Sequence, residues 1–370
     1  MSLLLCLVCL RAGAVELPLR SGSALLMEKS TGTILYTLNE HEPMEPASVT
    51  KIMTLLLVME AIDRDQLQWD TMVTASAYAT GMGGSQIYLR EGEQMSVEEL
   101  VKSVCVASGN DAAVALAEAV SGSMDAFVSL MNQRAQELGM QNTHFVNCTG
   151  LPAEGHLTTA YDIALMSRAL ILDHPELRSY TTIWMDTIRG GSFGLSNTNK
   201  LIRFYPDATG LKTGYTSSAL HCISATAERE GMELIAVVLK GPTSDDRFED
   251  AKTLLNYGFA TYTLLDTTPA SALPPLPVFL GTQPLVQPVL QDPEPILLEK
   301  AKTSGVEQSV TLLPSVSAPV EAGQELGTLT LLAADGSPLA ELPLVAGEAV
   351  ERIGFGSLLA RVVRVGLLAG

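Results

Sequence analysis

Three short patterns in this chain could do chemistry together, and each occurs once: Ser48-x-x-Lys51, Ser108-Gly-Asn110 and Lys212-Thr213-Gly214. The first opens the stretch PASVTKIMTLLLVMEAID, Pro46 to Asp63, whose apolar spacing predicts an amphipathic helix. Residues three apart on a helix are neighbours, so the amine at 51 reaches the hydroxyl at 48. A serine hydroxyl is a weak nucleophile until a base takes its proton, and a neutral lysine can be that base. Neutrality at physiological pH requires burial or a nearby positive charge, and Lys212 is the candidate for that charge.

The remaining groups fit acyl transfer. Ser108 can relay a proton to a departing amine, while Asn110 can bond both Lys51 and a substrate amide. The backbone N–H of Ser48, at a helix start, and that of Tyr215, just past Gly214, are candidate donors to an oxyanion. Lys212 and Thr213 together suit a carboxylate, hence a substrate that ends in one.

These pieces need elements to hold them. Ser23 to Leu38, SALLMEKSTGTILYTL, reads as a hairpin around a Ser-Thr-Gly turn. Helical signals then run to about Leu172, including a capping box at Ser96 and Glu99 and a helix from Ser123 to a stop at Gly139. This puts Ser108 in a break between two helices. A segment rich in Gly, Ser, Thr and Asn follows from Arg189 to Asn199. Strand character returns in ATGLKTGYTSS, ALHCISATAE and ELIAVVLKG, before a helix from about Asp245 to Tyr257. Strands at both ends with helices between them predict one sheet flanked by helices, an α+β domain over residues 20–262. The proline-dense TTPASALPPLPVFLGTQPLVQPV marks a boundary or edge strands. Alternating runs beyond it, with a turn at Asp335-Gly336, predict a small all-β domain over 270–350.

With 370 residues, 47% of them hydrophobic, the chain can bury a substantial core. Its net charge of -18 has the wrong sign for a phosphate backbone, so nucleic acid is not expected as a partner. The apolar run Leu3 to Leu10, followed by Ala12-Gly13-Ala14, reads as an export signal over residues 1–15. Cys6 and Cys9 would leave with it, and Cys105, Cys148 and Cys222 form an odd set with no disulfide framework, one pair among them left open. The histidines, His41, His144, His156, His174 and His221, are scattered and form no HExxH, so neither a metal nor another cofactor is expected. Residues 353–370 end in GFGSLLARVVRVGLLAG, where Arg361 and Arg364 share a helical face among Leu and Val. A basic, apolar end on an acidic chain reads as a segment that lies on an anionic membrane; packing on the β domain is the other reading.

The three patterns, in this order, form the combination known from penicillin-binding proteins and class A β-lactamases. The chain resembles the low-molecular-mass penicillin-binding proteins that act as serine-type D-alanyl-D-alanine carboxypeptidases, in EPASVTKIMT, VASGNDAAVALAE, NTHFVNCTGL, SNTNKLI, GLKTGYTSSALHCISATA and DDRFEDAKTLLNYGF. The resemblance implies a transpeptidase/β-lactamase-like catalytic domain, a Ser48 acyl-enzyme, Lys51 as base, and Ser108 and Asn110 in support. It implies Lys212, Thr213, Gly214 and Tyr215 at the substrate, with Arg247 of DDRFEDAK near them. It also implies peptidoglycan stem peptides ending in D-Ala-D-Ala as substrate, β-lactam antibiotics as inhibitors, and a place on the outer face of the cytoplasmic membrane or in the cell wall. A β-lactamase of the same fold and a catalytically idle wall-binding protein are the alternatives.

Two decoys weigh less. Gly190 to Gly194, GGSFG, matches a hydrolase elbow, but a strand must precede it and a helix follow it, and LSNTNKL is a poor helix; a flexible loop is expected. In DHPELRSY, His174 stands where a class A β-lactamase carries the Glu that activates water, and Arg178 where it carries Asn, so a helix start is expected. Met53, Met59 and Cys105 read as core filler, and His156 as a loop or cap neighbour.

Overall fold

Strand β1 (Ser23–Glu28) is buried along its whole length because it lies inside a sheet made from both ends of the domain. It pairs antiparallel with β2 (Ile34–Leu38) on one side and with β9 (Met232–Gly241) on the other. The sheet continues through β8 (Leu220–Arg229) to β7 (Ala208–Thr216), all antiparallel, in the order β2-β1-β9-β8-β7. The computed structural model describes residues 15–357 and residue 359. Apart from Val15 the expected export signal lies outside them, as do Arg361, Arg364 and most of the expected tail. The described chain up to Ala260 forms one compact unit and Thr261 onward another.

Between β2 and β7 run α1 (Lys51–Asp63), the short β3 (Met72–Thr74), α2 (Ala77–Thr80), the short β4 (Gln94–Ser96), α3 (Val97–Ala107), α4 (Asn110–Ser121), α5 (Met124–Glu137), α6 (Ala160–Asp173), α7 (Arg178–Thr181), the hairpin β5 (Met185–Ile188) and β6 (Phe193–Ser196), and α8 (Leu201–Phe204). Ser96 caps α3 through the Glu99 amide, but the Glu99 carboxylate turns away to accept from the Arg189 amide, so the capping box closes on one side only. Helix α9 (Ser244–Thr261) returns to the sheet, where Gly258 admits Leu26 and Leu234: a β-carbon there would stand 2.5 Å from Leu234 Cδ1.

Helix α1 differs from the expectation of an amphipathic helix. Every residue from Lys51 to Met59 is buried, because α4, α5 and α6 all pack on it. Ile52, Met53, Leu56, Val58 and Met59 have no exposed surface, and each contributes about 1.5–3 kcal/mol by leaving water. Thr54, also buried, gives its hydroxyl to the Cys148 carbonyl at 2.7 Å. Met53, Met59 and Cys105 are core, as expected, and Cys105, Cys148 and Cys222 are all buried and unpaired.

Gly190 to Gly194, expected as a flexible loop, instead runs from a turn into β6. Gly190 and Gly191 lie in the β5–β6 turn at φ 62° and 93°, Phe193 and Gly194 open β6, and no helix follows as an elbow would require. The Ser192 hydroxyl donates to the Arg189 carbonyl.

Among its described residues the second unit is mostly β, with a 3-10 turn at Lys300–Lys302 and helical residues at 355–357 and 359. Pro288–Leu290, Glu307–Leu312, Glu325–Leu332 and Pro338–Ala346 form a four-stranded sheet, with the Pro288 strand at its edge. Leu276–Phe279 joins Leu285–Val286 and Val316–Ser317 in a second sheet. Val278, Val286, Val316, Leu326 and Val350 fill the core of this unit, and Gly336 turns the Asp335 hairpin at φ 80°.

Candidate active site

Ser48 lies in a 3-10 turn, Ala47–Thr50, that runs into α1. The tighter turn stacks residues three apart, and Lys51 Nζ stands 2.9 Å from Ser48 Oγ. Ala47, just before Ser48, is held at φ 49°, in the left-handed region.

Lys51 is fully buried. Its Nζ also donates to the Thr149 carbonyl at 2.8 Å. Burial, reinforced by the charge of Lys212, holds its pKa well below the ordinary lysine range. Lys212, 1% exposed on β7, is lowered to about 7, mainly by burial and further by Arg247. Its Nζ donates to the Thr213 carbonyl at 3.0 Å.

The loop Asn147–Gly150 carries the acceptor for Lys51. Asn147 Oδ1 accepts from the amides of Thr149 and Gly150 and from the Thr149 hydroxyl, an Asx-type turn. Gly150, at φ 80°, must be glycine: a β-carbon would fall 1.8 Å from the Ala47 carbonyl oxygen. A neighbouring support is His156, 2% exposed rather than in an open loop. Its Nδ1 accepts from the Val146 amide at 3.0 Å, so the ring is neutral with its proton on Nε2, 2.8 Å from Thr50 Oγ1. Burial, then His144, lowers its pKa to about 4.

Ser108 occupies the break between α3 and α4, at φ 61°, and Asn110 begins α4. Both are buried, and among the described residues Ser108 Oγ and Asn110 Oδ1 have no hydrogen-bond partner. Groups left so are costly unless a ligand or a mobile proton uses them. Asn110 Nδ2 donates to the Gly83 carbonyl at 2.6 Å. Asp111, with no exposed surface, fastens the same loop by accepting from the amides of Ile87 and Leu89 and from that of Ala112.

On β7, Gly214 presses on the Ser48 turn, and Arg247 Nη1 donates to the Gly214 carbonyl at 2.8 Å. The Thr213 hydroxyl bonds that of Thr198 at 2.7 Å, and Asn199 Nδ2 holds the Gly210 carbonyl. Tyr215 is 58% exposed with its ring stacked on His221. His174 is elsewhere, beside Asp63 and Glu176.

The structure thus ties Ser48, Lys51, Gly214 and Arg247 to one another through close contacts, with Lys212 and Thr213 on the same strand as Gly214. It adds supports the motifs did not name: Asp111, Asn147, Thr149, Gly150, His156 and Thr198. Only Asn147 with Gly150 had a local signal, the turn composition Asn-Cys-Thr-Gly.

A family profile described as D-alanyl-D-alanine carboxypeptidase matches residues 12–243. One described as the C-terminal domain of penicillin-binding protein 5 matches 272–352. D-alanyl-D-alanine carboxypeptidase DacF of Bacillus subtilis is 41% identical over 356 residues, 94% of this chain and 90% of that protein. The crystal structure of penicillin binding protein 5 from Haemophilus influenzae aligns with a TM-score of 0.79 at 31% identity, covering 92% of this chain and 100% of that one. Penicillin-binding protein D2 from Listeria monocytogenes, in its cefotaxime-bound form, aligns with a TM-score of 0.61 at 34% identity, covering 66% and 99%.

Proposed function

From the premise that this chain belongs to the D-alanyl-D-alanine carboxypeptidase family of penicillin-binding serine peptidases, we propose that Ser48 is its nucleophile and Lys51 the base. The protein is a serine-type D-alanyl-D-alanine carboxypeptidase, a hydrolase with a PBP5-type C-terminal domain. One observation carries the assignment: the fully buried Lys51 Nζ, 2.9 Å from Ser48 Oγ, with its pKa held down.

In this reading neutral Lys51 takes the Ser48 proton as Oγ attacks the carbonyl of the penultimate D-alanine. The amides of Ser48 and Tyr215 stabilise the oxyanion. Ser108 carries a proton to the departing amine, terminal D-alanine leaves, and water releases the acyl group. Lys212, Thr213 and Arg247 supply the cationic, hydrogen-bonding end that receives the substrate carboxylate, and Asn110 Oδ1 accepts from its amide. A β-lactam presents a similar acyl group on a leaving amine that stays tethered, so the same serine is trapped.

The substrate in this reading is the peptidoglycan stem peptide, and the site of action is outside the cell. The apolar run Leu3–Leu10 supports export, and the basic apolar segment with Arg361 and Arg364 supports attachment to the outer face of the cytoplasmic membrane. Fractionation of cells expressing the chain with and without 353–370 tests the attachment.

The catalytic reading is tested by incubating the protein with a penicillin and with a pentapeptide ending in D-Ala-D-Ala, measuring adduct mass and released D-alanine. Ser48→Ala loses both. A persistent adduct on that variant removes the nucleophile assignment, and an adduct lost within seconds favours a β-lactamase.

A further inference from the structure

We propose that Asp63, His174 and Glu176 form a zinc-class metal site at the far end of α1 from Ser48. It stands apart from the catalytic reading and modifies the expectation, drawn from histidine spacing, that no metal binds.

His174 is 2% exposed, yet neither ring nitrogen has a hydrogen-bond partner among the described residues. A buried imidazole so left needs an explanation. Its Nδ1 faces two carboxylate oxygens, Asp63 Oδ2 at 3.3 Å and Glu176 Oε1 at 3.9 Å. One donor atom from each of the three residues lies within 4.8 Å of the others. Ligands on a tetrahedral ion with bonds of 2.0–2.1 Å are about 3.4 Å apart, so the Asp63 edge already fits and the Glu176 edge needs about half an ångström of closure. The Glu176 side chain, 49% exposed, is free to make that movement.

The backbone favours a cation at this point. Asp63 ends α1 and His174 follows the last residue of α6, so the negative ends of two helix dipoles converge there. Pro175 sets the turn between His174 and Glu176. One imidazole with two carboxylates suits zinc or a similar borderline ion rather than calcium, and neutralises its charge. The carboxylates lie at the rim, which gives the ion a route in and leaves a coordination position open to solvent. Ser48 precedes α1, and the helix spans about 18 Å, so the ion would clamp α1 to the α6 turn and take no part in acyl transfer.

The experiment strips the full protein with a chelator, then titrates zinc into wild type, Asp63→Asn and Glu176→Gln by calorimetry and thermal melting. Expected are one zinc per chain, at least about 10-fold weaker binding in each variant, and a rise in wild-type Tm of about 5 °C or more at a 100-fold excess over Kd. Calcium at the same concentration should leave Tm unmoved. Absence of zinc uptake by wild type, wild-type affinity in both variants, or an equal response to calcium overturns the proposal.

Discussion

Gly214 lies against the main chain of Ser48: a β-carbon on it would stand 2.9 Å from the Ser48 amide nitrogen and 2.8 Å from the Pro46 carbonyl oxygen. Strand β7 and the Ser48 turn therefore meet backbone to backbone, which only glycine allows. Gly214→Ala must push one away from the other, and a displacement of about 1 Å costs on the order of 100-fold in rate. Acylation by a penicillin, followed by mass spectrometry, should slow by that factor with far-UV circular dichroism unchanged. A rate within twofold of wild type would show that the contact positions nothing.

Ser108 offers a separation of activity from stability. Among the described residues its buried Oγ has no partner, so removing it deletes no hydrogen bond there. Ser108→Ala should keep or slightly raise Tm while D-alanine release falls about 10²–10⁴-fold. Thermal melting and a turnover assay on one preparation decide the matter; loss of both together would make Ser108 structural.

The pH dependence follows from Lys212, whose pKa is lowered to about 7, chiefly by burial. As pH rises through that value the free enzyme loses one of the two cations, Lys212 and Arg247, proposed to receive the substrate carboxylate. The same loss weakens the field that keeps Lys51 neutral, so both effects act in one direction. For a peptide ending in D-Ala-D-Ala, kcat/KM should decline above about pH 7, approaching tenfold per pH unit. A profile flat from pH 6 to 9 contradicts the role given to Lys212.

His156 links fold stability to acid. Its pKa is lowered to about 4 by burial and by His144, whereas the unfolded side chain titrates near 6.5. Between these values the unfolded state binds the extra proton. Stability present above pH 6.5 is therefore lost as pH falls towards 4, by about 3 kcal/mol. Denaturant unfolding at pH 7 and pH 4.5 should show this loss in wild type and a smaller one in His156→Gln. Equal losses would remove His156 as the source.

Asp111 holds the loop beside Asn110 through the amides of Ile87 and Leu89. Replacing it with alanine strands those buried donors and should cost about 2–4 kcal/mol, read from the urea midpoint. Hydrogen exchange at the two amides should rise in step; protection equal to wild type would place the restraint elsewhere.

The primary structure by itself announced the groups proposed to react and most of the elements. Ser48 with Lys51, Ser108 with Asn110, and Lys212 with Gly214 are spaced within a turn, a helix break and a strand, and local spacing is what a sequence records. The β1–β2 hairpin, the strands β7 to β9 and the mostly β second unit were legible for the same reason: their apolar alternation is local too. Tertiary structure alone decided what depends on distant parts of the chain. Whether α1 shows water one face or none depends on α4, α5 and α6, and with that burial comes the depressed pKa of Lys51. Gly150 beneath Ala47, His156 against Thr50 and Asp63 beside His174 are likewise invisible to periodicity, because each forms only when separately folded segments pack, and it is close packing that fixes both their distances and the cost of their charges.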